Sequence, residues 1–167
     1  MAVIILIGYM GSGKSTLGKK VARKLNYEFL DTDSVIEEQA GMTIADIFQQ
    51  FGEPHFRTLE HDLLLSLKDR DKIVVATGGG MPCFKGNMDL LNELGKTFYL
   101  NRSVNELVHR LTNAKRVRPL IAGKSAEELS NFVAQNLAVR NPFYKKAKFI
   151  LERDQQTAEF IETVLKY

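Results

Sequence analysis

Residues 3–16 have the sequence VIILIGYMGSGKST, an apolar run followed at once by a complete G-x-x-x-x-G-K-[ST] motif. The glycines let the backbone curl until successive N–H groups point at phosphate oxygens, while Lys14 adds a positive charge and Ser15 a hydroxyl for Mg²⁺. A helix that begins at this loop also favours anionic charge at its first turn. The segment therefore predicts a strand, a phosphate-binding loop and a helix that together hold a nucleoside triphosphate.

Composition limits what can surround this loop. The 167 residues are 44% hydrophobic and 26% charged, which is typical of one globular domain. The formal net charge of +3 requires no nucleic-acid partner, because a phosphate site already needs several cations. Cys83 is the single cysteine, so an internal disulfide is excluded, and no membrane span or signal peptide is recognisable. We therefore expect a cytoplasmic protein that binds neither nucleic acid nor a membrane.

Strand-like apolar runs alternate with amphipathic helical patterns along the chain, which is typical of a parallel sheet covered by helices. The predicted strands are residues 3–7, 27–30, 73–76, 97–100 and 149–151. Helix starts are predicted at Ser34, Thr43, Ser103 and Ser125, with capping-box partners Glu37, Glu106 and Glu128 for the three serines. Pro142 is expected to limit the helix that begins near Ser125.

Three of the strand ends carry polar or glycine-rich segments. The phosphate loop follows the first strand, residues 31–33 (DTD) the second and residues 77–80 (TGGG) the third. Because ligands of open α/β sheets bind beyond the carboxyl ends of strands, these segments can converge on one crevice. Two aspartates suggest one group near Mg²⁺ and one near a substrate hydroxyl, although a helix cap is the alternative for Asp33. The glycines permit close approach to a compact ligand, but a flexible turn would look the same.

Three arginines supply positive charge for an anionic substrate or for a transferring phosphoryl group. Arg57 lies three residues before Glu60 on one helical face, so the carboxylate can hold the guanidinium in place. Arg140 falls on the apolar stripe of its helix, where an inward charge must meet an anion. A structural salt bridge is the alternative for both. Arg118 lies in a basic segment without sustained periodicity, residues 113–124, which is either a mobile loop that closes over phosphoryl charge or a solvated turn.

Together these motifs resemble those of shikimate kinases over nearly the whole chain. The matching segments are residues 8–16 (GYMGSGKST), 31–33 (DTD), 56–60 (FRTLE), 77–80 (TGGG), 118–120 (RPL) and 140–144 (RNPFY). The resemblance implies a three-layer α/β/α P-loop kinase fold in one domain, residues 1–167, with a five-stranded parallel sheet in the order 2-3-1-4-5. It also implies a substrate-binding subdomain at about residues 33–60 and a lid at about residues 113–124.

The same resemblance implies ATP-dependent phosphorylation of the 3-hydroxyl of shikimate, in the route to chorismate and the aromatic amino acids. The implied catalytic residues are Asp33, as candidate base, with Lys14 and Arg118. The implied ATP contacts are Gly11, Ser12, Gly13, Lys14, Ser15, Thr16, Arg110 and Arg118, with Arg110 stacked on adenine. The implied shikimate contacts are Asp33, Arg57, Gly79, Gly80 and Arg140, with Glu60 orienting Arg57. Ser15 and Asp31 are implied to hold Mg²⁺ directly or through water, and the protein is expected to act as a monomer on these small molecules.

The chain departs from the family pattern at residues 152–157, where a proline usually precedes the last helix and this sequence has none. No adenine contact is therefore assigned to that segment. Two rival functions remain. A kinase for another small acid or for a nucleoside monophosphate would not need Asp33, Arg57 and Arg140 together. A regulatory nucleotide-binding module that has lost catalysis would not require the substrate residues at all.

Overall fold

The fold is described from a computed structural model in which residues 2–115 and 118–167 are defined. The strands are β1 (Val3–Ile7), β2 (Glu28–Asp31), β3 (Ile73–Ala76), β4 (Lys96–Leu100) and β5 (Phe149–Leu151). They form one parallel sheet in the order β2-β3-β1-β4-β5, which confirms the predicted topology. β1 lies at the centre, and all five of its residues are buried, as expected for a continuous apolar strand covered on both faces.

Helices cover both faces of the sheet. Those of the described residues are α1 (Lys14–Leu25), α2 (Thr32–Ala40), α3 (Ile44–Phe51), α4 (Glu53–Leu65), α5 (Asn87–Leu94), α6 (Val104–Thr112), α7 (Ala126–Tyr144) and α8 (Ala158–Leu165). Short 3₁₀ helices occur at Met81–Cys83, Pro119–Ile121 and Arg153–Gln155. In the parts of the chain that the structure defines, no helix combines the length and the apolar character needed to cross a membrane.

The side chains of β1 alternate between two cores. Ile4 and Leu6 pack with residues of α1 and α8 on one face, whereas Ile5 and Ile7 pack with residues of α4 to α7 on the other. This arrangement confirms the predicted three layers. A third, smaller cluster joins α2, α3 and α4 around Ile36, and it overlaps the region for which the substrate-binding subdomain is predicted. The predicted lid includes residues 116 and 117, which lie outside the described residues.

The structure corrects two predicted helix boundaries. Asp31, not Ser34, caps α2, because its Oδ1 accepts a hydrogen bond from the Ser34 N–H at 3.2 Å and the helix begins at Thr32. Asp33 therefore lies in the first turn of α2 and is not its cap. Pro142 does not limit α7, which continues to Tyr144. A proline so near a helix end removes one backbone hydrogen bond but does not end the helix earlier, since less than one turn of α7 follows it.

Candidate active site

The phosphate loop connects β1 to α1 at the centre of the sheet. Gly11 and Gly13 adopt φ angles of 78° and 96°, a left-handed region in which glycine is strongly preferred. Within residues 2–115 and 118–167, no side chain caps the first turn of α1. Its first backbone N–H groups are therefore available to an anion, and the helix dipole favours negative charge at the same place.

Lys14 is buried in this loop. Its Nζ donates hydrogen bonds to the carbonyl oxygens of Gly8 at 2.7 Å and Tyr9 at 2.9 Å. An ammonium has three N–H donors, so one remains for a phosphate oxygen. Burial lowers the pKa of Lys14 to about 8, an effect that the Asp33 carboxylate opposes and the nearby Arg118 reinforces. Arg118 is therefore close enough to the phosphate loop to act electrostatically on it.

Ser15, in the first turn of α1, and Asp31, at the end of β2, are in direct contact. The Ser15 hydroxyl donates to Asp31 Oδ2 at 2.5 Å, and the other carboxylate oxygen of Asp31 holds the first turn of α2. Hydroxyl and carboxylate oxygens are the hard ligands that Mg²⁺ prefers, and this ion commonly takes only one or two protein groups besides water and phosphate. The two residues thus fit the metal role that the sequence implies.

The three glycines after β3 each face a different charged side chain. A Cβ atom added at Gly78 would lie 2.6 Å from Asp33 Oδ1, and one at Gly80 would lie 2.7 Å from Arg57 Nη2. A Cβ at Gly79 would lie 3.2 Å from Arg140 Nη1. None of these glycines is among the described residues with a left-handed φ angle, so glycine is required here for space. The segment brings the three residues predicted to bind shikimate around one point.

The glycine segment is anchored on both sides. The Gly78 N–H donates to Thr32 Oγ1 at 2.9 Å, and the Tyr144 hydroxyl donates to the Gly79 carbonyl at 2.5 Å. Thr32 belongs to α2 and Tyr144 ends α7, so the segment is tied to two of the three helices that carry its charged neighbours. A loop fixed in this way differs from the flexible turn that the sequence left open.

Arg57 is oriented by two carboxylates and an aromatic ring. Its Nη1 donates to Glu60 at 2.6 Å, its Nε and Nη2 donate to Glu53 at 3.3 and 3.2 Å, and its guanidinium lies 4.0 Å from the centre of the Phe84 ring. A guanidinium has five N–H donors, so these contacts leave one on each terminal nitrogen. That remaining pair matches the two oxygens of a carboxylate.

The two carboxylates that hold Arg57 differ in environment. The Glu60 side chain is 1% exposed and that of Glu53 is 49% exposed. Burial raises the pKa of Glu60 to about 7, although the ion pair with Arg57 opposes the shift. Burial and the neighbouring Asp31 also raise the pKa of Asp33, against the attraction of Lys14. Burial therefore disfavours the ionised form of both carboxylates, and the neighbouring cations Arg57 and Lys14 favour it.

Arg140 completes the charged group around the glycines. Its guanidinium lies beside Gly79 and 5.5 Å from the centre of the Tyr9 ring, so α7 directs it towards the phosphate loop. Arg57 of α4 and Arg140 of α7 thus approach the same glycine segment from two different helices. Arg57 keeps one unused donor on each terminal nitrogen and Arg140 adds a second guanidinium beside Gly79, so together they favour an anionic substrate.

A cavity of about 630 Å³ opens beside the phosphate loop on the side of α1 and α8. Its lining includes Ser12, Gly13, Thr16, Arg102, Arg110 and Gln156. Arg110, predicted to stack on adenine, donates from Nε to the Gly11 carbonyl at 2.6 Å. Gln156 lies in the segment that lacks the family's proline, and its Nε2 donates to the carbonyls of Asn101 and Leu151 at 2.8 and 2.9 Å. These bonds fix the segment without a proline.

Sequence reasoning missed Glu53, Phe84, Arg102 and Gln156. Glu53 lies four residues before Arg57 on the same helix, so the spacing that indicated Glu60 could also have indicated Glu53. Phe84, Arg102 and Gln156 reach partners that are distant in the chain, and no local pattern marks such contacts.

The comparisons with known proteins identify the family of the chain. A family model described as Shikimate kinase matches residues 10–167. A shikimate kinase of Bacteroides thetaiotaomicron is 45% identical over 155 residues, which are 93% of this chain and 89% of that relative. The crystal structure of a shikimate kinase from the same organism has a TM-score of 0.94 at 41% identity, and 99% of each chain is covered. A shikimate kinase from Acinetobacter baumannii, solved in complex with shikimate, has a TM-score of 0.83 at 35% identity, with 99% of this chain and 92% of that chain covered. The chain therefore belongs to the shikimate kinase family.

Proposed function

We propose that this protein transfers the γ-phosphoryl group of ATP to the 3-hydroxyl of shikimate, giving shikimate 3-phosphate and ADP in the route to chorismate and the aromatic amino acids. The observation that carries the proposal is the glycine segment next to the phosphate loop, where Gly78, Gly79 and Gly80 face Asp33, Arg140 and Arg57. A hydroxy acid needs both a carboxylate grip and a group at its hydroxyl. This arrangement offers both beside a nucleotide site.

In this proposal Arg57 and Arg140 hold the carboxylate of shikimate. The two donors left on the terminal nitrogens of Arg57 suit a bidentate contact, and Glu60 keeps the guanidinium in that orientation. Gly79 and Gly80 allow the substrate to approach the backbone closely. The hold on the carboxylate orients the ring so that one hydroxyl points towards Asp33 and the phosphate loop.

Asp33 then acts on the attacking hydroxyl. The oxygen of the shikimate 3-hydroxyl forms a bond to the γ-phosphorus, and the bond from that phosphorus to the β–γ bridging oxygen breaks. The hydroxyl proton passes to the Asp33 carboxylate. The raised pKa of Asp33, which burial and Asp31 cause, makes its carboxylate a better proton acceptor than a solvated aspartate. Lys14 and Arg118 offset the negative charge on the transferred group, because most catalysis of phosphoryl transfer is electrostatic.

Ser15 and Asp31 would hold the divalent cation, which we propose is Mg²⁺. When bound, the ion neutralises charge on the phosphate oxygens of ATP. We further propose that Arg110 stacks on adenine, that residues 113–124 form a lid, and that the protein acts as a cytoplasmic monomer. The effect of Arg118 on the pKa of Lys14 supports a lid that lies near the phosphates.

A coupled assay of ADP release tests the function. We expect ADP formation from Mg²⁺ and ATP only when shikimate is present, with little turnover on gluconate or on nucleoside monophosphates. Equal turnover on gluconate would favour a kinase for another small acid. Nucleotide binding without turnover on any acceptor would favour a regulatory module.

A further inference from the structure

Arg102 is a cation of the nucleotide cavity to which neither the sequence motifs nor the proposed mechanism assigns a role. It lies between β4 and the Ser103 cap of α6, and its side chain is 14% exposed. Its Nη1 pairs with Glu106 Oε2 at 3.2 Å, and its Nε donates to the Ser12 carbonyl of the phosphate loop at 2.9 Å. Ser12 and Arg102 are 90 positions apart in the chain, so this bond fastens the loop to the far side of the cavity.

The bond to Ser12 constrains a peptide group that phosphate binding needs. The carbonyl and the N–H of a trans peptide point in opposite directions. The peptide between Ser12 and Gly13 is trans, so a Ser12 carbonyl held by Arg102 turns the Gly13 N–H away from Arg102. Gly13 is the residue that precedes α1. Its φ of 96° lies in the left-handed region, which glycine tolerates, so the peptide can adopt this orientation.

Arg110 holds the preceding carbonyl in the same manner. Its Nε donates to Gly11 at 2.6 Å, so two arginines fix two successive carbonyls of the loop. Partial burial lowers the pKa of Arg110, and the nearby Arg102 guanidinium lowers it further. Glu106 counteracts this repulsion, and its backbone N–H is in turn bonded to Ser103 in the cap of α6. Arg102 is thus held in place by the first turn of that helix.

We propose that Arg102 is a positioning residue for phosphate binding, which orients the Gly13 N–H towards the β- and γ-phosphates by holding the Ser12 carbonyl. This inference rests on the proposed function for its nucleotide, but it concerns the polyphosphate alone and not shikimate or the adenine base. Loss of the bond should therefore weaken every polyphosphate ligand to a similar degree.

Two neutral variants separate the hydrogen bond from the charge. In Arg102→Gln the side-chain Nε2 stands at the same position along the side chain as the arginine Nε, so it can still donate to the Ser12 carbonyl. In Arg102→Met a methyl group stands there, and no donor remains. Both variants lose the positive charge and the pair with Glu106. Any difference between them reports the bond to Ser12.

The experiment is calorimetric titration of the full chain with inorganic tripolyphosphate and with ATP, each with Mg²⁺. We expect Arg102→Met to weaken both ligands about tenfold, and Arg102→Gln to stay within about threefold of wild type. The KM for shikimate should change in neither variant. Arg70→Met is the matched control, because Arg70 also pairs with a glutamate, Glu28, but lies before β3 and away from the cavity.

Three results would overturn the inference. Equal weakening in both variants would assign the effect to charge. Weakening of ATP but not of tripolyphosphate would place Arg102 at the base. Wild-type affinity in Arg102→Met would remove any role. If the methionine variant does not fold, Arg102→Leu takes its place, because leucine also lacks a donor and a charge. Failure of the wild-type protein to bind ATP would instead contradict the proposed function, and this inference with it.

Discussion

Gly80→Ala should damage shikimate binding by displacing Arg57. The added Cβ would lie 2.7 Å from Nη2, 2.8 Å from Nη1 and 3.0 Å from Cζ of Arg57. An ordinary contact is about 3.5 Å, so the guanidinium must move by about 0.8 Å. A free arginine would yield at little cost, but Glu60, Glu53 and the Phe84 ring hold this one.

A shift of this size is comparable to the displacement of about 1 Å that can cost about a hundredfold in rate. We therefore expect kcat/KM for shikimate to fall by about tenfold to a hundredfold in Gly80→Ala. The Kd for ATP should stay within about twofold of wild type, because no phosphate-loop atom is among the close contacts of the new Cβ. Steady-state kinetics with shikimate varied give kcat/KM, and a calorimetric titration gives the Kd for ATP. A melting curve verifies that the variant folds.

A double-mutant cycle tests whether the effect passes through Arg57. Arg57→Ala alone should lose the carboxylate contact, and adding Gly80→Ala to it should then cost little more. If the two losses in kcat/KM multiply instead, Gly80 acts on shikimate by another route and the reasoning is refuted.

Three further predictions concern the catalytic group, the lid and the buried glutamate. Asp33→Asn should lower kcat by about a hundredfold or more with ATP affinity retained, since an amide cannot accept the proton, whereas near-normal turnover would exclude the base. Arg118→Ala should lower kcat more than ATP affinity, and Arg110→Ala should do the reverse; rapid-mixing kinetics and titration distinguish the two. The raised pKa of Glu60 means that the native state favours its protonated form, so its contribution to stability is present below pH ~4.5 and is lost as the pH rises through about 7. Urea unfolding should therefore show that the free energy of unfolding of wild type falls relative to Glu60→Gln over this range, by on the order of 3 kcal/mol, and parallel pH profiles would contradict the assignment.

The sequence predicted the sheet well because its strands are nearly uninterrupted apolar runs between clear helix starts. Thr43, Ser103 and Ser125 cap the helices expected of them. The prediction of Ser34 as the cap of α2 was wrong because four successive residues, 31–34, all have side chains able to cap a helix. The choice of Asp31 depends on β2, whose last residue Asp31 pairs with Ala76 of β3. Such a tertiary pairing is not visible in local sequence.

The candidate site divides in the same way. Arg57 and Glu60 are one helical turn apart, so their 2.6 Å contact follows from spacing alone. The contact between Ser15 and Asp31 requires the strand order as well, because it joins the first turn of α1, which follows β1, to the end of β2, and β3 lies between these two strands. The contact of Arg102 with Ser12 depends on side-chain packing between α6 and the phosphate loop, and neither residue type nor spacing indicates it.

The central claim, that Arg57 and Arg140 hold the carboxylate of shikimate, is tested most directly by calorimetric titration of shikimate into wild type, Arg57→Met and Arg140→Met. Methionine keeps much of the apolar stem and removes the guanidinium. We expect each variant to weaken shikimate binding by at least about thirtyfold, since loss of a buried charge pair costs about 2 to 5 kcal/mol, with the Kd for ATP unchanged within about twofold. Wild-type affinity for shikimate in either variant would contradict the claim.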